Sequence, residues 1–150
     1  VKERGILVIE LKEPDTVERA IEVVEKASAE EWVVLASFYH PALLEAKELN
    51  DRIATGAIFS CEPLSPHLLA LEARADLLIP KASYTTPRLV EKAHRYGLGV
   101  AVWVVNTAAE LEKFERMGVD AVVTDRADLL APVIGAKRRG RATLRDLLRR

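Results

Sequence analysis

The sequence predicts an α/β fold in which helices cover a parallel sheet. Apolar runs of strand length alternate with helical patterns along the whole chain, and the runs are apolar on both faces. Strands of this kind, separated by single helices, form parallel sheets that are either closed as an α/β barrel or open and doubly wound. The pattern leaves these two architectures open. With 150 residues, the chain has the length of one ordinary domain.

The first two strand-helix units are the most regular. ILVIEL (6–11) predicts a strand, and apolar residues at every third or fourth position over 15–28 predict a helix. WVVLASF (32–38) predicts the second strand. The helix predicted over 40–50 has Pro41 in its first turn, where proline is well tolerated.

Four further units complete the pattern. The strands are predicted over residues 54–60, 75–80, 98–106 and 119–125. The helices are predicted over residues 65–73, 85–97, 108–118 and 127–135. Proline again begins the third helix, and Gly97 ends the fourth. No glycine-rich phosphate-binding loop follows any strand, which disfavours a nucleotide-binding fold.

The composition disfavours several classes of protein. Lys and Arg total 22 against 23 Asp and Glu, so the chain has no overall charge to attract nucleic acid or an anionic membrane. A single cysteine cannot form an internal disulfide, and no zinc-site spacing is present. No apolar run approaches the roughly 20 residues of a membrane span, which favours a cytoplasmic protein. The absence of Gln and the 30% of charged residues favour a thermophilic source.

Four motifs, in order and at these separations, resemble one known family. They are IELK at 9–12, ASFYHPALL at 36–44, VAVWVVN at 100–106 and GVDAVVTD at 118–125. Together they are similar to the C-terminal part of glycerophosphodiester phosphodiesterases. The resemblance implies a TIM barrel and metal-dependent hydrolysis of a phosphoric diester to an alcohol and glycerol phosphate. It divides the chain into a partial barrel domain, 1–135, and a basic C-terminal tail, 136–150.

The resemblance also assigns roles to four residues. Glu10 corresponds to a carboxylate ligand of a divalent metal, Mg²⁺ or Ca²⁺, and Lys12 to a catalytic lysine that contacts the phosphodiester. Residues two apart on a strand point to the same side, so this pair could serve one site. Trp103 and Phe38 correspond to walls of the substrate cleft. The competing interpretation is that Glu10 and Lys12 only end a strand in water, and that Trp103 only packs in the core.

Several motifs of the family are absent from this sequence. These are the His-Arg-Gly and Glu-Asn-Thr motifs, the Glu and Asp of the second strand, and a later His-Asp. We therefore expect an incomplete barrel that lacks its first strands and is inactive alone, or that is completed by self-association or by a missing N-terminal piece. Counting three absent strands beside six candidates gives nine, so we expect one candidate, ADLLIP, to be misread. His40, His67 and His94 are predicted to be structural or merely exposed.

Alternative functions follow from the same residues. The first is a catalytically inactive phosphate-binding or assembly module on the same scaffold. The second is a polyanion-binding role for the basic tail, for which nucleic acid is a weakly supported partner. Cys61 is predicted to be a bystander or small core residue, since no histidine is patterned beside it. The expected partner of the site is a small glycerophosphodiester.

Overall fold

The computed structural model describes residues 5–137, in which a parallel sheet is covered by helices. The strands are β1 (Leu7–Glu10), β2 (Val33–Ser37), β3 (Ala54–Phe59), β4 (Leu77–Pro80), β5 (Gly99–Val102) and β6 (Ala121–Val122). The helices are α1 (Val17–Lys26), α2 (His40–Leu49), α3 (Pro66–Glu72), α4 (Pro87–Arg95), α5 (Ala108–Met117) and α6 (Ala127–Lys137). Every predicted strand and helix is present. Residues 138–150, most of the predicted basic tail, lie outside the described part.

The six strands form one sheet in chain order, and every neighbouring pair is parallel. The sheet curls like part of a barrel, so the predicted TIM-barrel-type arrangement of strand-helix units is confirmed. The prediction that ADLLIP is misread is wrong, because its residues form β4 between β3 and β5. This strand is short but buried throughout, which a central strand requires. Six strands are two fewer than the eight of a closed TIM barrel.

The outer face of the sheet packs against the helices. Two clusters of buried side chains form this layer, one around β1 and β2 with α1 and α2, the other around β4 and β5 with α4 and α5. Helix α1 contributes Val17, Ile21 and Val24, which recur at helical spacing on its buried side. Phe114 of α5 is among the largest fully buried side chains. Packing in this layer fixes the strands relative to the helices.

The inner face of the sheet has its own apolar cluster, formed by residues that alternate with those of the outer face. Gly56 lies in this layer, and a Cβ atom there would stand 2.5 Å from Ile79 Cδ1, so a larger residue would force the end of the Ile79 side chain to move. At the two edges the layer is open to solvent. Val8 on β1 is 52% exposed and Val123, just after β6, is 47% exposed.

Two aspartates accept hydrogen bonds at the amino ends of β3 and β5. Asp76 Oδ2 accepts a hydrogen bond from the backbone N–H of Thr55 at 2.7 Å and pairs with Lys47 Nζ at 2.8 Å. Asp120 Oδ2 accepts one from the backbone N–H of Val100 at 2.8 Å, and His94 Nε2 lies 2.8 Å from the same oxygen. Each aspartate precedes one strand and joins it to the neighbouring strand or to a helix.

All six strands are shorter than predicted, and β5 and β6 are shortened the most. The apolar run predicted over 98–106 extends beyond β5, which ends at Val102. Val105, in this extension, is still buried. The backbone N–H of Val105 donates to the carbonyl of Val123, which ties this extension to the segment after β6.

No helix within residues 5–137 is both long and apolar enough to cross a membrane.

Candidate active site

The Glu10–Lys12 pair lies at the carboxyl end of β1. Glu10 is the last residue of the strand, and its register partner on β2 is Ala36, a residue of the inner face. Lys12 Nζ donates to Glu10 Oε1 at 2.7 Å, and both side chains remain open to solvent, at 70% exposure for Lys12 and 37% for Glu10. Between them, Leu11 is buried and its backbone N–H donates to the Ala36 carbonyl. The backbone is therefore fixed while the charged groups stay accessible.

Phe38 and Trp103 meet at the same end of the sheet. Phe38 follows β2 and Trp103 follows β5, and their rings make an edge-to-face contact with centroids 5.7 Å apart. The indole N–H of Trp103 donates to the Ile79 carbonyl of β4 at 3.1 Å, which fixes the ring across the top of the inner face. Trp103 is half-buried and Phe38 is 47% exposed. The two residues predicted as cleft walls are thus brought together.

Lys81 is a third charged residue at this end, and the sequence analysis missed it. It follows β4 directly and forms a bridge with Trp103 in register with the β4–β5 ladder. Among residues 5–137, its ammonium makes no ion pair or hydrogen bond, and the residue is exposed. The signal that singled out Lys12, a lysine placed just beyond a buried strand, would also have found Lys81.

Each of the three histidines has a structural partner, and His40 has its partner at the carboxyl end of the sheet, just after β2. His40 Nε2 lies 3.0 Å from the Ile58 carbonyl, and its ring packs edge-on against Phe59. His67 is buried and stacks on Tyr96 at 5.0 Å between centroids. Its pKa is lowered, first by burial and then by the charge of Lys92.

His94 belongs to the amino end of the sheet, beside Asp120. Cys61 is an exposed free cysteine two residues after the end of β3, and its role as a bystander stays a prediction. His94 does not contribute to the group of charged and aromatic side chains described above at the carboxyl end. That group consists of Glu10, Lys12, Phe38, Lys81 and Trp103.

Asn106 ties together the carboxyl ends of β5 and β6. Its side-chain oxygen accepts hydrogen bonds from the Thr124 hydroxyl and the Asp125 backbone N–H, and its amide nitrogen donates to Asp125 Oδ2. The Asn106 backbone N–H donates to the Glu110 carboxylate. This bond and those from Thr107 hold the pKa of Glu110 below its usual range. Asp125, in the TD motif, is therefore engaged in a structural network rather than directed at Glu10.

Residues 6–129 match the sequence profile of the glycerophosphoryl diester phosphodiesterase family. The match spans far more than half of the chain. The chain belongs to this family.

Individual family members agree with this assignment. The chain is 27% identical over 121 residues to a glycerophosphodiester phosphodiesterase of Caldanaerobacter subterraneus subsp. tengcongensis, covering 81% of this chain and 50% of that protein. A glycerophosphodiester phosphodiesterase structure from Parabacteroides distasonis superposes with a TM-score of 0.80 at 20% identity, over 91% of this chain and 60% of that one. An Oleispira antarctica phosphodiesterase, solved with the product sn-glycerol-3-phosphate, superposes with a TM-score of 0.77 at 24% identity, over 87% of this chain and 55% of that one.

The chain spans about half the length of the curated relatives it matches. A full TIM barrel of the family has eight strands, whereas residues 5–137 supply six. The match therefore establishes ancestry and fold for the part of the barrel that contains β1 to β6.

Within residues 5–137, Glu10 is the candidate ligand for the divalent metal that the family resemblance implies. A hard divalent cation requires several oxygen ligands. Glu10 offers one carboxylate, of which Oε1 is already bonded to Lys12, and residues 5–137 contain no group of three His, Cys, Asp or Glu side chains able to hold a metal. The described residues alone therefore do not fit a complete metal site.

Proposed function

We propose that this chain carries the phosphate-contacting part of an active site that hydrolyses glycerophosphodiesters to an alcohol and glycerol phosphate. The observation that supports this most directly is the solvent-open Glu10–Lys12 pair at the carboxyl end of β1. In α/β barrels, catalytic groups gather at this end of the strands. The family match and the product held by the Oleispira antarctica phosphodiesterase favour a glycerol phosphate group as the ligand.

Lys12 has the chemistry for a catalytic role. Negative charge builds on the phosphoryl oxygens as a diester is cleaved, and a fixed ammonium stabilises that charge. The buried Leu11 holds the backbone beside Lys12, so the ammonium needs to swing only from Glu10 to the ligand. We propose Lys12 as both a catalytic and a substrate-binding residue, with Phe38 and Trp103 as the apolar walls of the cleft.

We propose Glu10 as one ligand of a divalent cation, Mg²⁺ or Ca²⁺, whose remaining ligands come from outside residues 5–137. They would be supplied by a further segment or by a second copy that completes the barrel. The open edges at Val8 and Val123 support such a completing partner, since a parallel sheet normally has both faces covered. We place the partial barrel domain at 1–135.

The experiment that tests this proposal is hydrolysis of glycerophosphocholine by the purified chain, with and without Mg²⁺ or Ca²⁺. Metal-dependent turnover, reduced at least about a hundredfold in Glu10→Ala, is the expected result if the chain completes its site by self-association. Glu13→Ala is the matched control, because Glu13 is an exposed carboxylate on the segment that follows β1. Turnover that is equal in Glu10→Ala and wild type would contradict the role of Glu10.

A second candidate is an inactive phosphate-binding or assembly module. The observation that favours it is that each of the three histidines already has a structural partner and none contacts Glu10 or Lys12 in the described part of the chain, although histidine is the usual acid-base group near neutral pH. Such a module would bind sn-glycerol-3-phosphate without hydrolysing any diester. Calorimetric titration with sn-glycerol-3-phosphate beside the hydrolysis assay separates the two functions.

A further inference from the structure

We propose that Lys81 is a specificity-determining residue of this cleft, favouring glycerophosphodiesters whose alcohol carries a second anionic group. The inference rests on the proposed function. It concerns a residue outside the Glu10–Lys12 pair, carried on a different strand, and it follows from three features of Lys81: its position, its anchoring and its free charge.

The position follows from the strand register. Leu77 pairs with Gly99 and Leu78 with Val100, and the same offset pairs Lys81 with Trp103. Register partners in a sheet point to the same face. Because Trp103 packs against the inner apolar cluster, Lys81 also belongs to the inner face, at the height of the aromatic wall.

The backbone at Lys81 is anchored on three sides. Its N–H donates to the Phe59 carbonyl at 3.0 Å, and its own carbonyl accepts from the Thr85 hydroxyl at 3.0 Å. Thr85 is buried, so this bond is protected from water. The next N–H, that of Ala82, donates to the Trp103 carbonyl at 2.6 Å. The start of the lysine side chain is therefore held at a fixed place, and only its methylene stem can move.

The charge of Lys81 is available, in contrast to that of Lys12. Lys12 shares its ammonium with Glu10, whereas no acidic side chain within residues 5–137 pairs with Lys81. An unpaired ammonium beside an aromatic wall creates a local positive potential. That potential attracts an anionic group and opposes a quaternary ammonium such as choline.

The distance between the two lysines assigns them to different parts of the ligand. Lys12 follows β1 and Lys81 follows β4, three strand spacings or roughly 14 Å along the sheet. With Lys12 at the phosphodiester, Lys81 faces the group on the far side of the cleft mouth, past Phe38 and Trp103. That group is the alcohol portion of the diester.

The test is calorimetric titration of the full chain with two probes, glycerophosphocholine and glycerophosphoinositol phosphate, at one ionic strength. Wild type is expected to prefer the phosphate-bearing probe, and Lys81→Met to weaken its binding about tenfold while leaving glycerophosphocholine unchanged or improved. Lys81→Arg keeps the charge and should retain the preference. Lys113→Met removes the same charge from the exposed side of α5 and should change neither affinity.

Each other outcome contradicts a specific statement. If Lys81→Met and Lys113→Met give the same two affinities as wild type, Lys81 has no role in selecting the alcohol. If Lys81→Met weakens both probes equally, it binds the shared glycerol phosphate part and the specificity role is wrong. If wild type binds neither diester, the proposed function itself fails, and the role of Lys81 fails with it. Denaturation midpoints equal to wild type confirm that each variant is folded.

Discussion

At the amino end of the sheet, Asp76 and Asp120 are surrounded by partners, whereas at the carboxyl end Lys12 and Lys81 extend into solvent. Each aspartate accepts a backbone N–H from one strand and faces a cationic or titratable side chain from a helix. Lys12 has a single carboxylate partner, and Lys81 has none within residues 5–137. Charges that are fully bonded within the protein stabilise it, while charges left in water remain available to a ligand.

This difference explains how one sheet can be rigid and still carry accessible charged groups. The aspartate bonds at the amino end join the start of β4 to β3 and the start of β6 to β5, and the helix-facing core packs against the middle of the sheet. The carboxyl ends are then held in place without using their own side chains. Functional residues there can change without loss of the fold, because they contribute little to it.

The largest expected effect is at Asp76. Asp76→Ala leaves the Lys47 ammonium, which is only 8% exposed, without its carboxylate. Removing one partner of a buried ion pair is strongly destabilising, and because Asp76 is itself partly exposed we expect a loss of about 3 kcal/mol in the free energy of unfolding. Urea denaturation followed by circular dichroism measures it.

Two further variants sharpen that test. Asp76→Asn combined with Lys47→Met removes both charges and should recover most of the lost stability, since an apolar replacement of a buried pair is often neutral. Lys12→Met, at the other end of the sheet, should change the free energy of unfolding by less than about 0.5 kcal/mol, because Lys12 pairs only in solvent. A destabilisation of similar size in Lys12→Met and Asp76→Ala would remove the distinction between the two ends.

Much of this arrangement was predictable from the sequence, and the residues show why the rest was not. Apolar runs predict the six strands in order, and this holds even for β1, most of whose residues are exposed. The prediction that ADLLIP is misread is wrong because a short strand can still be buried throughout, as β4 is. The ring contact between Phe38 and Trp103 joins two residues that are 65 positions apart in the sequence, and only the fold brings them together.

The polar bonds at the amino end illustrate the same limit. Asp76 and Asp120 each stand just before a buried strand, a signal that can be read from the sequence. Their partners cannot, because Lys47 and His94 lie on helices whose rotation is fixed only by packing. The sequence therefore indicates which residues end strands, but not which of them are bonded and which are free.

An intermediate effect on stability is expected at Thr55, whose buried hydroxyl lacks a hydrogen-bond partner among the described residues. Its backbone N–H is bonded to Asp76, but its hydroxyl oxygen is buried with no hydrogen-bond partner in the described structure. Thr55→Val keeps the shape and removes the unsatisfied group, so we expect a gain of about 1 kcal/mol in the free energy of unfolding. Thr55→Ser keeps the hydroxyl and serves as the control. Equal or lower stability of Thr55→Val would mean that the hydroxyl has a partner in solution.

The smallest effect concerns His67, which lies between α3 and α4 rather than at either end of the sheet. Burial, with a smaller contribution from Lys92, lowers its pKa below the ordinary value of 6.5. The unfolded chain therefore takes up a proton at His67 at a pH where the folded protein does not. By linkage, the free energy of unfolding falls as the pH drops below 6.5 and levels off below the folded pKa.

His67→Phe isolates this contribution, because phenylalanine can keep the stacking contact with Tyr96 but cannot titrate. Urea denaturation of both proteins at several values between about pH 7.5 and pH 5 gives two curves, and we expect the wild-type curve to decline more steeply on the acid side. The difference between the curves removes the contributions of all groups that are common to both proteins. Parallel curves would show that His67 titrates alike in the folded and unfolded chain, and that water reaches it between α3 and α4.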